Sequence, residues 1–183
     1  MKQAEAVLKE VEQMTEEHFL PTVGPGKSKI LAEIVRKSKP KYVLEVGTLI
    51  GYSAIIIGKE LDANAHLTTI EIDEDEARTA QENIRQAAIP AKVEVIVGNA
   101  LKIIPKLKGP FDFVFIDAEK TEYYQYLKLV ENKLQKGTTI VADNVVISAG
   151  QMKDYLDYVR HSSKYSSKTV RVGQDGLEIS VKL

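Results

Sequence analysis

Helical and strand signals alternate along almost the whole of this chain, which leaves few solutions other than a parallel sheet covered by helices on both faces. Strand-like runs at residues 42–46, 66–72, 93–97, 111–116 and 138–142 are interleaved with amphipathic stretches at 52–61 and 74–88, a short helix through Ile103 and Leu107, and 122–134. Strands and helices in that rhythm predict a doubly wound sheet. The tail departs from it. A helix at 152–162 leads to two further strands, 167–172 and 177–182, separated by Gly173-Gln174-Asp175-Gly176, and Asp-Gly between strand-like runs is a hairpin signal. The expectation is an α/β, seven-stranded, mostly parallel sheet with an antiparallel C-terminal strand. Helices at 2–18 and 28–38, on either side of a proline- and glycine-rich break at 21–26, are expected to cap a single domain spanning 1–183.

With 183 residues, 44% of them apolar, the chain can bury one proper core. It has no cysteine, which excludes disulfides, thiolate zinc sites and cysteine nucleophiles. His18, His66 and His161 show no metal-ligand spacing. A net charge of −1 gives no bulk attraction to nucleic acid, although Lys164, Lys168 and Arg171 fall close together. No apolar run is long enough to span a bilayer, and the first 18 residues are charged and helical rather than signal-like, so a soluble, cytoplasmic protein is expected.

Chemistry is concentrated at the strand tips. Phe111-Asp112-Phe113-Val114-Phe115-Ile116 stops at Asp117, and Thr138-Thr139-Ile140-Val141-Ala142 stops at Asp143-Asn144. If both runs are neighbouring parallel strands, about 5 Å apart, these three residues converge at one sheet edge. Three oxygen ligands suit a hard divalent cation. Lys120 then lies beside that cation, placed to take a proton from an acidified hydroxyl.

Upstream, Glu45-Val46-Gly47 leads through Gly51 to Tyr52-Ser53 and the next helix, so backbone can approach a ligand closely. The second strand ends at Glu71-Ile72-Asp73, where an acid can accept both hydroxyls of a ribose. The spacing is E-x-G-x-x-x-G, not the dinucleotide fingerprint G-x-G-x-x-G, which disfavours a nicotinamide-dependent dehydrogenase. Glu45, Gly47, Gly51, Glu71 and a polar turn at Gly98-Asn99-Ala100 are expected around one acidic crevice, which repels a pyrophosphate and welcomes a cationic cofactor.

These residues resemble the class I S-adenosylmethionine-dependent methyltransferases, specifically the metal-dependent O-methyltransferases of the catechol O-methyltransferase type. The resemblance rests on Val23-Gly24 with Lys27, Leu44-Glu45-Val46-Gly47 with Gly51-Tyr52-Ser53, Glu71-Ile72, Phe115-Ile116-Asp117 with Lys120, and Ala142-Asp143-Asn144. Tyr158-Val159-Arg160 and Asp175-Gly176-Leu177-Glu178 extend it towards the C-terminus. It implies a Rossmann-like methyltransferase fold that binds S-adenosylmethionine through Val23, Glu45, Gly47, Gly51, Ser53, Glu71, Ile72, Asn99, Ala100 and Asp117. It also implies Mg2+ or another divalent cation on Asp117, Asp143 and Asn144, with Lys120 as the base. The implied substrate is a small aromatic diol such as a catechol. A tRNA hydroxyuridine O-methyltransferase, using Lys164, Lys168 and Arg171 on phosphates, and a non-catalytic cofactor-binding regulatory domain are the alternatives. The resemblance leaves monomer and homodimer open and implies no membrane partner. The chain also departs from the mammalian pattern. Two tryptophans of the substrate walls are replaced by Glu119 and Phe19, and the acid that grips the second hydroxyl has Thr169 or a neighbour in its region. Glu119 would favour a polar or cationic substrate edge.

Overall fold

The computed structural model describes residues 2–183. Its seven strands are β1 (Tyr42–Val46), β2 (His66–Glu71), β3 (Lys92–Val97), β4 (Phe111–Ile116), β5 (Leu134–Ala142), β6 (Tyr165–Val172) and β7 (Asp175–Lys182). They form one sheet in the order β3-β2-β1-β4-β5-β7-β6. The first five run parallel, while β7 is antiparallel to both β5 and β6. The helices are α1 (Lys2–His18), α2 (Gly24–Ser38), α3 (Tyr52–Gly58), α4 (Glu74–Ala87), α5 (Ala100–Ile103), α6 (Tyr123–Val130) and α7 (Lys153–His161). Among the described residues no helix is long and apolar enough to cross a membrane.

Alternation along the strands explains the layering, because successive side chains point to opposite faces. Val43, Leu67, Phe113, Phe115 and Val141 pack under α1–α4. Leu44, Val46, Ile70, Val114, Ile116 and Ile140 pack under α6 and α7 with Tyr123, Tyr126 and Tyr155. Residues that alternate along a strand are therefore all buried, which is why these runs read as continuously apolar.

Some boundaries differ from the sequence expectation. The break at 21–26 ends sooner than expected, since α2 already begins at Gly24 with Pro25 in its first turn, where a missing N–H costs nothing. β5 starts at Leu134 rather than Thr138. The C-terminal hairpin turns at Gly173-Gln174, with Gly173 at φ +58°, and Asp175 and Gly176 already pair with Val172 and Arg171. Asp175 is therefore a strand residue, and its carboxylate is not spent on the turn.

Candidate active site

The strand order reverses direction between β1 and β4, and ligands of open α/β sheets bind at such a switch point, beyond the carboxyl ends of the strands. Val46 pairs with both Ile70 and Ile116, and Ile116 pairs with Ala142. The ladder continues one residue further: Gly47 N donates to Ile70 O (3.0 Å), Asp117 N to Val46 O (2.9 Å) and Asp143 N to Ile116 O (3.0 Å). Gly47, Asp117 and Asp143 thus form one row. Above it lies a cavity of about 760 Å3, lined among others by Val23, Gly47, Ser53, Glu71, Ile72, Asn99, Ala100, Asp117, Lys120 and Asn144.

The glycine turn shows what each glycine is for. Gly47 has φ +96°, and a Cβ on it would lie 2.1 Å from the carbonyl oxygen of Asp117, so no other residue lets β1 end against β4 here. Gly51 serves another purpose. It does not line the cavity, and a Cβ there would sit 3.2 Å from Ala80, so this glycine lets α3 approach α4. Gly51, expected around the crevice, thus sits behind its lining, between α3 and α4.

Glu71 is a clasp between two turns. Its Oε2 accepts Thr48 N (3.1 Å) and Leu49 N (2.7 Å), and its Oε1 accepts Ile72 N (2.7 Å) and Asp73 N (3.0 Å). Four N–H donors match the accepting capacity of a carboxylate. They also hold Leu49 at φ +49°, a conformation that costs on the order of 1–3 kcal/mol.

Glu45 lies beneath the cavity floor rather than in its lining. It is fully buried; Thr69 Oγ1 donates to its Oε2 (2.6 Å), and its Oε1 has no hydrogen-bond partner. The expectation of a lining residue is corrected here too, because parity along β1 turns Glu45 to the face that carries Val43. Burial pushes its carboxyl up to about 7, countered by the Thr69 and Ser53 hydroxyls and reinforced by the charges of Asp117 and Glu71. The native state therefore favours the protonated acid, and stability falls as pH rises from the ordinary glutamate range through 7. Glu45→Gln should melt like the parent at pH 4.5 and gain roughly 3 kcal/mol at pH 8. Thermal melts across that range check it, and an equal difference at both pH values would contradict it.

At the other end of the cavity, oxygens and lysines interlock. Asp117 Oδ1 accepts Lys120 Nζ (2.8 Å), which also donates to Tyr123 Oη (3.0 Å). Asp143, 1% exposed and just behind the cavity lining, accepts Lys27 Nζ (2.5 Å) and Asn144 N (2.6 Å) on Oδ1, while its Oδ2 is buried without a partner. Burial and the charge of Asp117 push the Asp143 carboxyl up to about 6, with Lys27 limiting the rise. Asn144 has φ +60° and lines the cavity. The sequence reading gave Asp175 no place in the site, yet its Oδ2 accepts both Lys27 Nζ (2.7 Å) and Asn144 Nδ2 (2.9 Å). Burial opposes its ionisation, yet Lys27 and backbone N–H groups hold its carboxyl down at about 2.

Among the described residues no three His, Cys, Asp or Glu side chains group as a metal site. The set here is two carboxylates and an amide, all oxygen donors, and the unpartnered Asp143 Oδ2 is an acceptor with nothing yet to bind. That donor chemistry fits a hard divalent cation.

The tyrosines after Lys120 divide between the cavity rim and the core. Tyr126 lines it, whereas Tyr123 is fully buried against Tyr155 in an edge-to-face contact. Glu119 stands at the rim and accepts Thr121 N (3.2 Å) and Oγ1 (2.9 Å), capping the turn that carries Lys120. The three C-terminal cations do not share a face. Lys164 is paired with Glu131 (3.0 Å), and Lys168 and Arg171, three residues apart on β6, point to opposite sides.

With this geometry in view, the O-methyltransferase family pattern matches residues 2–170. The chain belongs to that family. Catechol O-methyltransferase B of Danio rerio is 38% identical over 174 residues, 88% of this chain and 65% of that protein. The catechol O-methyltransferase of Niastella koreensis is 40% identical over 129 residues, 68% of this chain and 58% of that protein. The chain thus spans about three fifths of the length of these curated relatives. The crystal structure of an O-methyltransferase from Bacillus cereus in complex with SAH matches with a TM-score of 0.89 at 28% identity, covering 97% of this chain and 91% of that one. The seven-stranded mixed sheet is the Rossmann-like fold of the family.

Proposed function

We propose that this chain transfers the methyl group of S-adenosylmethionine to one hydroxyl of a small catechol-like diol, with a divalent cation, Mg2+ in the first instance, at Asp117, Asp143 and Asn144. The observation that carries this reading is the placement of Lys120 and Asp117 in the same 760 Å3 cavity as Gly47 and Glu71, with Asn144 beside them. A module that only bound the cofactor would have no use for that lysine.

Gly47 gives the methionine part of the cofactor access to backbone, and the Ser53 hydroxyl faces its carboxylate. The ribose lies at Glu71, where its hydroxyls share or displace the longer of the four backbone N–H bonds on that carboxylate, those from Thr48 and Asp73, with Val23, Ile72, Asn99 and Ala100 closing the pocket around the rest. The cation would supply Lewis acidity that favours the ionised hydroxyl and holds adjacent substrate oxygens. Lys120 Nζ is the group placed to take the proton from the hydroxyl. The protein's main contribution is alignment of oxygen, methyl carbon and sulfur, which can be worth about 7–11 kcal/mol. Glu119 and Glu122 at the rim favour a neutral or cationic ring substituent over an anionic one.

Calorimetric titration with S-adenosylmethionine, followed by turnover of a small catechol with and without Mg2+, tests the proposal. Cofactor binding that survives chelation, with methyl transfer that does not, is the expected result. Undiminished transfer in excess chelator would falsify the cation's role, and failure to bind S-adenosylmethionine would remove the whole reading.

A further inference from the structure

We propose that Asp175 is the positioning residue of the cation site, fixing which end of the Asn144 amide faces the ion. This rests on the divalent-cation reading above. Asp175 opens β7, outside the three oxygens that the sequence nominates, yet it collects three donors from the loop that carries Asn144 and a fourth from Lys27 of α2. Oδ2 accepts Asn144 Nδ2 (2.9 Å) and Lys27 Nζ (2.7 Å), and Oδ1 accepts Val146 N and Ile147 N (3.3 Å each).

An amide has a donating and an accepting end. A carboxylate can only accept. Asp175 therefore holds Nδ2 and leaves Oδ1 as the free end of a residue that lines the cavity. The reversed amide would set two oxygens against each other. The two backbone bonds hold the loop just after Asn144, whose φ of +60° has to be maintained. Lys27 closes the circuit from Asp175 to Asp143 Oδ1, so that Oδ2 is the oxygen left without a partner. Outer partners of this kind orient metal ligands, and their loss typically weakens metal binding by about 10–100-fold.

The test is Mn2+ binding to the 183-residue chain, followed by electron paramagnetic resonance, with melting temperature and S-adenosylmethionine affinity measured alongside. Asp175→Asn should weaken Mn2+ by about 10–100-fold and change the linewidth of the bound-ion signal, with cofactor affinity kept. Asp175→Glu retains the charge on a longer stem, and provides the reading if the asparagine variant fails to fold; it should also weaken Mn2+ and alter the linewidth. The Asn144→Asp background discriminates mechanism, because a carboxylate has no amide to orient. There Asp175→Asn should cause no further loss. The same loss in both backgrounds would mean that Asp175 acts on the fold and not through Asn144, and would overturn the proposal. Wild-type-like Mn2+ affinity in Asp175→Asn or Asp175→Glu would overturn it as well, leaving the cation site intact. Absence of Mn2+ binding by the parent chain would instead bring down the cation reading, and this inference with it.

Discussion

Replacing Asp143 by asparagine should lower methyl transfer by about 10²–10⁴-fold while leaving S-adenosylmethionine affinity within about threefold of the parent. The substitution keeps the shape of the side chain and removes its charge. Asp143 is the most buried of the oxygen donors, and its Oδ2 is the oxygen of the set that is buried without a hydrogen-bond partner. Its neighbour Oδ1 is already held by Lys27 and by Asn144 N. The variant would present an uncharged amide where a hard cation needs a carboxylate, and Lys27 would keep only Asp175 as counter-charge. Several kcal/mol of charge stabilisation would be lost from the reacting oxygen, and about 1.4 kcal/mol is a factor of ten in rate. Gly47, Ser53 and Glu71, the residues proposed to bind the cofactor, touch Asp143 nowhere in the hydrogen-bond network, so their task should be unaffected. Single-turnover assays and calorimetry together decide the matter. Turnover near the parent value with Mn2+ still bound would show that Asp143 is a structural acid.

How much of this was legible beforehand depended on whether a feature was local. The two acid-tipped strands predicted Asp117 and Asp143 side by side, because parallel pairing converts matching strand ends into neighbours, and the Ile116–Ala142 pairing does so. The antiparallel ending at β7 followed from the hairpin signal, although the turn itself is Gly173-Gln174. Reading Asp175-Gly176 as the turn hid the function of Asp175, since its partners Lys27 and Asn144 lie 148 and 31 residues away. No periodicity or spacing links such distant positions. Glu45 and Gly51 were misplaced for a different reason. Both sit in a stretch whose Val46, Gly47, Tyr52 and Ser53 do border the cavity, and only the parity of β1 and the approach of α3 to Ala80 reveal that one is beneath the floor and the other between helices.

Substituting Lys120 by either methionine or arginine should reduce transfer by about 10²–10⁴-fold, the usual contribution of a placed proton acceptor. The pair of variants separates two roles that one variant would confuse. Methionine removes both the charge and the proton acceptor, whereas arginine keeps the charge but stays protonated throughout the accessible pH range. If Lys120 serves as a base, the two should be equally poor. If its charge alone matters, through the bond to Asp117 Oδ1 at 2.8 Å, arginine should restore most of the rate. The fold should barely register either change. Lys120 stands in a short turn capped by Glu119, its side chain is 23% exposed, and a partly exposed ion pair is worth about 0–1 kcal/mol. Binding of S-adenosylmethionine and of Mn2+ should also persist, since Lys120 supplies no ligand to either. A rate loss confined to the chemical step, with both affinities retained and arginine no better than methionine, is the signature of proton removal by Lys120. Rescue by arginine would assign the proton to another acceptor and leave Lys120 as a counter-ion for Asp117.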